Sequence, residues 1–491
     1  MTLGIRAPVP PERSESARDV ATRLMSALEP DSARIFDFEG VDLTPAVAQM
    51  LFLAIRSVGA GSGEPPRTGP AASLARVAFA HGLRIARRRP PVDGRVAAIT
   101  LNPAHAEILR PIEARLAEAD GPPIVQIWDG ALRGHRIFAP PLPAYLPLAS
   151  LPRVMAKYRS LSAPLQNLAV RWDGIADDAI IGLASSVLRR ELHRATLDAA
   201  CLTALAEQGP VLMVTFDEIG RRARLVGPIA ARYGIPSLDL PHAEAADPPA
   251  IRGATYDVFG VFGPRAREVL QLAGVAPRRI REIGPSRFDA LVSREPVTPV
   301  SPRRLVFASQ WLGGQMTTAV KRATIQIALQ AASAAAPCEF VIKPHPLERD
   351  RIADEVLSAG SPPGVTAFVE RSRALYDLLG GAWMLLTGWS NAAFEGLLAH
   401  VPAICITATG GEPPTTFVEE GLALGATSVE EAVAAVKSLL DPEVRGRALT
   451  AARSSLTGHI GPLDGRAAER AAALILEMSA PRATTPGQRG G

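Results

Sequence analysis

Two stretches in the C-terminal half of the sequence decide the fold: residues 339–346 read EFVIKPHP, and residues 384–395 read MLLTGWSNAAFE. Each begins with a short, nearly continuous apolar run, which is typical of a buried parallel β-strand. Each then passes into turn residues that carry polar side chains. Because ligands of parallel α/β sheets bind beyond the carboxyl ends of the strands, both turns are predicted to lie at a binding site.

The same alternation of short apolar runs and amphipathic helices extends over most of the chain. Strands are predicted at residues 96–101, 124–127, 211–215, 237–240, 257–262 and 280–283, and again at 305–309, 339–343, 365–368, 384–387 and 403–406. Residues 294–302 (REPVTPVSP) separate the two sets and contain three prolines, as an interdomain linker does. The pattern predicts an α/β protein with two Rossmann-like, doubly wound domains that face one another across a cleft.

Domain boundaries follow from these changes of pattern. Residues 1–92 are predicted to form a mainly helical N-terminal extension, to which the sequence assigns no role. Residues 93–293 are predicted to be the acceptor-side Rossmann-like domain and residues 303–480 the nucleotide-side one. Residues 481–491 are predicted to be a disordered tail.

The composition excludes several classes of protein. The chain has 491 residues, 47% hydrophobic and 21% charged, so it is neither disordered nor fibrous. The net charge is only +4 and the run Arg87-Arg88-Arg89 has no aromatic partners, so no nucleic-acid partner is predicted. Three widely separated cysteines argue against a disulfide framework and a zinc site.

The sequence also contains no signal peptide and no uncharged apolar stretch of about 18 residues. It therefore predicts a cytoplasmic protein without an integral membrane span, either free or peripheral at the inner face of the membrane.

The first motif is Ile342-Lys343-Pro344-His345-Pro346. Its prolines fix the backbone and place the Lys343 ammonium and the His345 imidazole at a strand end. Both groups can neutralise a nucleotide phosphate and the charge that develops on a leaving group. The alternative is a proline-rich turn in which the histidine is incidental.

The second motif is Thr387-Gly388-Trp389-Ser390-Asn391, which opens a predicted helix. Gly388 allows a close backbone approach, and Ser390 or Asn391 can cap the helix, whose free N–H groups attract anions. The alternative is that Ser390 serves only as a cap. Glu395, further along the helix, is either a ligand of a ribose or base or a solvated helix charge.

Taken together, these two motifs resemble the nucleotide-binding domain of GT-B fold transferases. The resemblance is to the superfamily of CDP-glycerol glycerophosphotransferases, capsule polysaccharide transferases and histidine-proline motif sialyltransferases. It covers residues 200–455 and is strongest over 339–406. It implies that His345 and Ser390 hold the donor phosphates, with Asn391 where many relatives carry a second hydroxyl.

Residues 230–242 (AARYGIPSLDLPH) extend the resemblance to the first domain. They imply that His242 is the general base, although relatives have Gln-His-Gly where this chain has Pro241-His242-Ala243. The segment from Gly284 to Asp289 (GPSRFD) resembles the one that closes the first domain, which implies a tight turn at Gly284 near the donor. Phe288 and Asp289 are interpreted as structural.

Asp129 is the alternative catalytic base. Asp129-Gly130 follows a predicted strand, and the sialyltransferases of the superfamily place a catalytic aspartate before glycine in this domain. Asp-Gly is also a common turn. His242 is favoured because an imidazole titrates near neutral pH. No metal site and no cofactor are predicted, since protein cations take over the charge role of a metal in this fold.

The predicted function is transfer of a glycosyl or polyol-phosphate group to an acceptor hydroxyl, in surface polysaccharide or related glycoconjugate synthesis. The predicted partners are a nucleotide-sugar or CDP-polyol donor and a glycan or lipid-linked acceptor. A first alternative is a non-hydrolysing UDP-sugar 2-epimerase, because His242-Ala243-Glu244-Ala245 resembles its His-x-Glu-Ala stretch. A second alternative is a non-catalytic GT-B scaffold.

Overall fold

The protein is described from a computed structural model. The structure describes residues 11–27, 36–58, 91–101, 103–128, 139, 141–165, 176, 178–244, 248–292, 295, 297–312, 316–346, 348–408 and 416–480. Residues 59–90 of the predicted N-terminal extension, the predicted tail and Asp129 lie outside these ranges.

An N-terminal segment precedes the first parallel sheet. It consists of α1 (Pro11–Ser26), a short hairpin of β1 (Asp37–Phe38) and β2 (Val41–Asp42), and α2 (Thr44–Val58). Its buried side chains belong to the same hydrophobic cluster as those of the first parallel sheet. The Gln49 side-chain amide donates hydrogen bonds to the carbonyl oxygens of Ile219 and Ala250, at 2.9 and 2.8 Å. The segment is therefore packed into the body of the protein.

The first parallel sheet forms the N-terminal unit. Its strands are β3 (Val96–Thr100), β4 (Ile124–Trp128), β5 (Leu212–Thr215), β6 (Ser237–Asp239), β7 (Val258–Val261) and β8 (Ile280–Glu282). Its helices are α3 (Pro103–Glu118), α4 (Leu151–Leu161), α5 (Asp178–Ala206), α6 (Arg222–Arg232), α7 (Pro248–Ile251), α8 (Pro264–Leu272) and α9 (Asp289–Val292). The strand order is β4-β3-β5-β6-β7-β8, with every pair parallel.

The second parallel sheet forms the C-terminal unit. Its strands are β9 (Arg303–Ala308), β10 (Cys338–Lys343), β11 (Val365–Val369), β12 (Met384–Thr387), β13 (Ala403–Ile406) and β14 (Leu424–Ala426). The helices that follow β9 are α10 (Thr318–Ala332), α11 (Ile352–Ser358), α12 (Leu375–Leu379), α13 (Ala392–Leu398), α14 (Val429–Leu440), α15 (Pro442–Ile460) and α16 (Ala467–Ser479). The order β11-β10-β9-β12-β13-β14 is again fully parallel.

Local sequence explains where the later helices begin. Thr317 and Ser428 accept a backbone N–H from the first turn of α10 and α14 through their side-chain oxygens. The Asp441 carboxylate accepts two such bonds at the start of α15, where Pro442 occupies the first helical position. These are the residue types that satisfy the free N–H groups of a helix.

The predicted fold class is confirmed: the chain has two doubly wound parallel α/β units, with helices in the N-terminal segment. One helix differs from the predicted domain division. Although it follows the second sheet in sequence, α16 packs on the first sheet, where Ala471 and Ile475 share a cluster with Val96 and Leu109. The last helix therefore returns to the N-terminal unit.

The two units also share a hydrophobic cluster. Phe262 and Phe288 of the N-terminal unit pack in it with Phe394 and Leu397 of α13. Burying a side chain of this size stabilises the folded protein by roughly 1.5–3 kcal/mol relative to leaving it exposed to water. The carboxyl ends of the two sheets are thus held against one another. None of the described helices is both long and apolar enough to cross a membrane.

Candidate functional site

The two sequence motifs lie on either side of one strand end. In the second sheet, Ala308 at the end of β9 is the register partner of Lys343 on β10 and of Thr387 on β12. Neighbouring strands are about 4.8 Å apart, so the motifs are separated by roughly 10 Å. The strand order changes direction between β9 and β12, which is the point where doubly wound sheets bind ligands.

A buried ionic cluster holds the turn that carries His345. The backbone N–H of His345 donates to Glu348 Oε2 at 3.2 Å. The other oxygen of Glu348 lies 2.9 Å from Lys321 Nζ, which also bonds Asp350 at 2.9 Å. Lys321 is only 2% exposed, so the charges of this cluster are shielded from water.

The imidazole of His345 is neutral at physiological pH in this structure. Burial, together with the charges of Arg287 and Lys321, lowers the pKa of His345 from 6.5 to about 4. This corrects the expectation that His345 brings a positive charge to a phosphate. In the unliganded protein it is a hydrogen-bonding group, and the charge has to come from other residues.

Lys343 turns toward the edge of the sheet. Its Nζ donates to the carbonyl oxygen of Arg371 at 3.0 Å, and Arg371 follows β11, on the opposite side of β10 from the second motif. Burial lowers the pKa of Lys343 and the nearby Glu370 opposes that change. The structure therefore does not bring the Lys343 ammonium to Ser390.

In the second motif, two residues serve the packing of the strand end. Thr387 is fully buried and its hydroxyl donates to the carbonyl oxygen of Ala308 at 2.9 Å. A side chain at Gly388 would overlap with Gln310 Oε1, which accepts the backbone N–H of Trp389 at 3.1 Å. These contacts attach the turn to the end of β9 and to Gln310, which follows it.

Trp389, Ser390 and Asn391 are the partly exposed members of the motif. Ser390 Oγ accepts the backbone N–H of Ala392 at 3.2 Å, which makes Ser390 a cap of α13, and Asn391 makes no capping bond through its side chain. Ser309, at the end of β9, adds a polar group that sequence reasoning missed. Its hydroxyl is buried and has no hydrogen-bond partner among the described residues.

Arg287 reaches this region from the N-terminal unit. Its Nη2 lies 3.9 Å from Glu395 Oε1 on α13. Burial raises the pKa of Glu395 and the charge of Glu107 on α3 adds to the rise, while Arg287 opposes it. Glu395 is accordingly not a solvated helix charge, because it is largely buried and faces an arginine from the other unit.

A pair of histidines marks the corresponding edge of the first sheet. His105, in the first turn of α3, lies with its ring centroid 5.3 Å from that of His242, which follows β6. His105 Nδ1 accepts the backbone N–H of Leu101 at 3.2 Å. Burial, followed by the charges of His242 and Arg287, lowers the pKa of His105 well below its usual value. None of the sequence motifs includes His105.

Buried carboxyl groups lie next to His242. Burial raises the pKa of Glu218, and the nearby His242 acts in the opposite direction. Asp239 on β6 has its pKa raised well above the usual value by burial and by Glu218. His242 Nδ1 is buried and has no hydrogen-bond partner among the described residues. His242 therefore lies beside two buried carboxyl groups.

Gly284 belongs to the packing of α16 instead of a ligand-facing turn. It has a φ of +80°, and an added Cβ would lie 3.0 Å from Ala467 Cβ and 3.1 Å from Arg470 Nη2. Asp289 caps the same helix by accepting the backbone N–H groups of Ala467 and Ala468, at 2.9 and 2.7 Å. Among the described residues, no group of three histidine, cysteine, aspartate or glutamate side chains is placed to hold a metal ion.

Comparisons with known proteins find no matching family model and no matching curated protein. Among solved structures, the chain is similar to a putative UDP-N-acetylglucosamine 2-epimerase from Listeria monocytogenes. The two are 15% identical over 78% of this chain and 96% of the other, with a TM-score of 0.48.

Two glycosyltransferase structures are also similar. The glycotransferase of kitacinnamycin is 17% identical over 79% of this chain and all of the other, with a TM-score of 0.45. The lipopolysaccharide outer core galactosyltransferase WaaB is 11% identical over 77% of this chain and 99% of the other, with a TM-score of 0.43. All three likenesses concern the fold.

Proposed function

We propose that this protein is a GT-B-type transferase. It moves a glycosyl or polyol-phosphate group from a nucleotide-activated donor to an acceptor hydroxyl. The observation that carries this proposal is the register of the second sheet, in which Lys343 and Thr387 flank the same residue of β9 at the change of strand direction. This is where a doubly wound sheet binds a nucleotide.

The donor phosphates lie, in this proposal, between the His345 turn and Ser390. The neutral imidazole of His345 and the hydroxyls of Ser390 and Ser309 supply hydrogen bonds at the strand ends. Asn391 extends the polar surface of the same turn. Donors that are fixed in advance around a departing phosphate lower the barrier to its release.

His242 is the proposed base in the N-terminal unit. The imidazole takes the proton of the acceptor hydroxyl as its oxygen attacks, and the nearby carboxyl group of Glu218 favours the resulting positive charge. Because the site is shared between two units, the donor and the acceptor are brought together by residues from both. Such positioning contributes a large part of the rate in group transfer.

A UDP-sugar 2-epimerase is the second candidate. The observation that favours it is the pair of buried carboxyl groups, Glu218 and Asp239, beside His242. Buried carboxylic acids with raised pKa values can exchange protons at neutral pH. Incubation with UDP-N-acetylglucosamine without an acceptor distinguishes the two, since only an epimerase converts the sugar under these conditions.

A ligand screen tests the proposed function. The full chain is heated with CMP, CDP, UDP, GDP and dTDP, because a ligand that binds the folded state raises the Tm by mass action. We expect at least one nucleotide to stabilise the wild type and His345→Ala to remove most of that shift. The proposal fails if no nucleotide shifts the Tm, or if the shift is the same in both proteins.

We also expect transfer activity to survive treatment with EDTA. A complete loss of activity that Mg²⁺ restores would contradict this expectation.

A further inference from the structure

Arg287 stands on a support that both units hold in place. It lies in a short 3-10 turn, Ser286–Phe288, directly after β8. The Ser286 hydroxyl donates to the carbonyl oxygen of Ile108 on α3 at 2.9 Å, and Phe288 is buried against α13 in the cluster that joins the units. With Asp289 capping α16, the residues on either side of Arg287 are fixed. Its position is therefore set before any ligand binds.

The guanidinium of Arg287 has hydrogen-bonding capacity to spare. Its Nε is buried and has no hydrogen-bond partner among the described residues. The carboxylate of Glu395 lies at 3.9 Å, which is beyond hydrogen-bonding distance. The guanidinium carbon also lies 4.6 Å from the centre of the Phe288 ring, which is a cation–π contact. A buried N–H without a partner is costly, so a ligand that accepts from it gains a favourable interaction.

The charge around Arg287 shows which ligand it suits. Its neighbour Ser286 bonds Ile108 of the N-terminal unit and its own guanidinium faces Glu395 of the C-terminal unit, so Arg287 lies where the two units meet. Its positive charge also contributes to lowering the pKa of His345 and of His105. His345 is neutral there and Lys343 is bonded to Arg371. A guanidinium matches two phosphate oxygens at once, which a histidine or a lysine does not.

We propose that Arg287 binds the diphosphate of the nucleotide donor from the N-terminal unit, opposite His345. This inference rests on the proposed function and adds a binding residue to it. In the unliganded protein Glu395 is the counter-ion of Arg287, at a distance that leaves the N–H groups available. The diphosphate takes the place of Glu395. A donor held by Arg287 and His345 together links the two units, which a nucleoside monophosphate does less well.

Calorimetric titration of the full chain tests this role. The ligands are UDP, CDP, GDP and dTDP, the matching monophosphates and inorganic pyrophosphate. The variants are Arg287→Gln, Arg287→Lys and the control Arg281→Gln, which removes an exposed arginine of β8 bonded to the Arg278 carbonyl oxygen. The Tm and near-ultraviolet circular dichroism of each variant show whether it is folded.

We expect Arg287→Gln to weaken the preferred diphosphate by about 10- to 100-fold, the usual worth of hydrogen bonds to a charged group. The affinity of Arg287→Gln for the matching monophosphate should change by less than about 3-fold. Arg281→Gln should bind both ligands as the wild type does. Arg287→Lys keeps the charge but not the bidentate geometry, so its affinity for the diphosphate should lie between those of the wild type and Arg287→Gln. If Arg287→Gln does not fold, the lysine variant carries the test.

Three results separate this inference from the proposed function. In the first, the wild type binds a diphosphate, His345→Ala lowers the affinity for it, and both Arg287 variants bind it normally. The role of Arg287 is then wrong and the proposed function stands. If pyrophosphate binds through Arg287 but no nucleotide binds, the anion site stands and the nucleotide function falls. If the wild type binds neither nucleotide nor pyrophosphate, both are wrong.

Discussion

His105 and His242 face one another at the carboxyl edge of the first sheet, with ring centroids 5.3 Å apart. Because His105 Nδ1 accepts the backbone N–H of Leu101, a neutral His105 carries its proton on Nε2. Its pKa is well below the usual value, so it does not compete with His242 for a proton at neutral pH. The pair thus has one member, His105, that is held by a backbone hydrogen bond and is neutral.

The first prediction is that His242→Ala lowers kcat by roughly 10²- to 10⁴-fold, the usual worth of general-base catalysis. Donor affinity should change little, because His242 is not among the residues proposed to hold the nucleotide. Steady-state kinetics and nucleotide titration on the same preparations check both parts. A large loss of kcat in Asp129→Asn, with His242→Ala close to the wild type, would instead identify Asp129 as the base.

Much of the fold could be predicted because buried parallel strands correspond to short apolar runs in the sequence. Met384–Thr387 and Ala403–Ile406 form strands with the predicted bounds. The edge strand Leu424–Ala426 was missed, since three residues without a β-branched side chain carry no strand signal. The 29-residue helix α5 and the return of α16 to the first sheet were missed too. Which sheet a helix covers depends on tertiary packing that its own sequence does not encode.

The candidate site could be predicted only where it is local. His345 and Ser390 were found because each follows an apolar strand in a recognisable motif. Arg287 was missed, since one arginine among many carries no information in a chain whose basic residues include only four lysines. The surroundings of Ser309 and His105 are formed by residues that are far away in sequence. The low pKa of His345 could not be predicted, because burial, Arg287 and Lys321 act on it only in the folded protein.

The second prediction concerns the acid sensitivity that His345 gives the fold. Its pKa is about 4 when folded and 6.5 when unfolded, so between these values the unfolded state holds more protons. Stability therefore falls as the pH decreases through this window, by up to ~1.4 kcal/mol per pH unit. His345→Gln cannot titrate and should lose less stability. Urea denaturation at pH 7, 6, 5 and 4.5 measures the difference, and parallel curves for the two proteins would contradict it.

The third prediction concerns Lys321, whose ammonium lies between Glu348 and Asp350 beneath the His345 turn. Lys321→Met removes the positive charge and leaves two carboxylates in a buried place. Breaking a buried ion pair in this way costs about 3–5 kcal/mol. The control is Lys437→Met on an exposed face of α14, for which we expect a change within about 0.5 kcal/mol. Urea denaturation followed by tryptophan fluorescence checks both, and similar midpoints for the two variants would show that the cluster contributes little.

The last prediction has the opposite dependence on pH and concerns His459, at the end of α15. Its Nδ1 lies 2.7 Å from Glu244 Oε1 of the N-terminal unit, and its Nε2 bonds Glu420 of the C-terminal unit. Burial disfavours the charged imidazole, but Glu244 and then Glu420 outweigh it and raise the pKa of His459. The folded state therefore keeps its proton above pH 6.5, where the unfolded state loses it, and stability falls as the pH rises through the raised value. His459→Gln lacks this charge, so the gap in urea midpoint between the wild type and His459→Gln should be largest near pH 6 and should narrow by pH 9. A gap that stays constant or widens over this range would show that the imidazole is neutral between its two carboxylates.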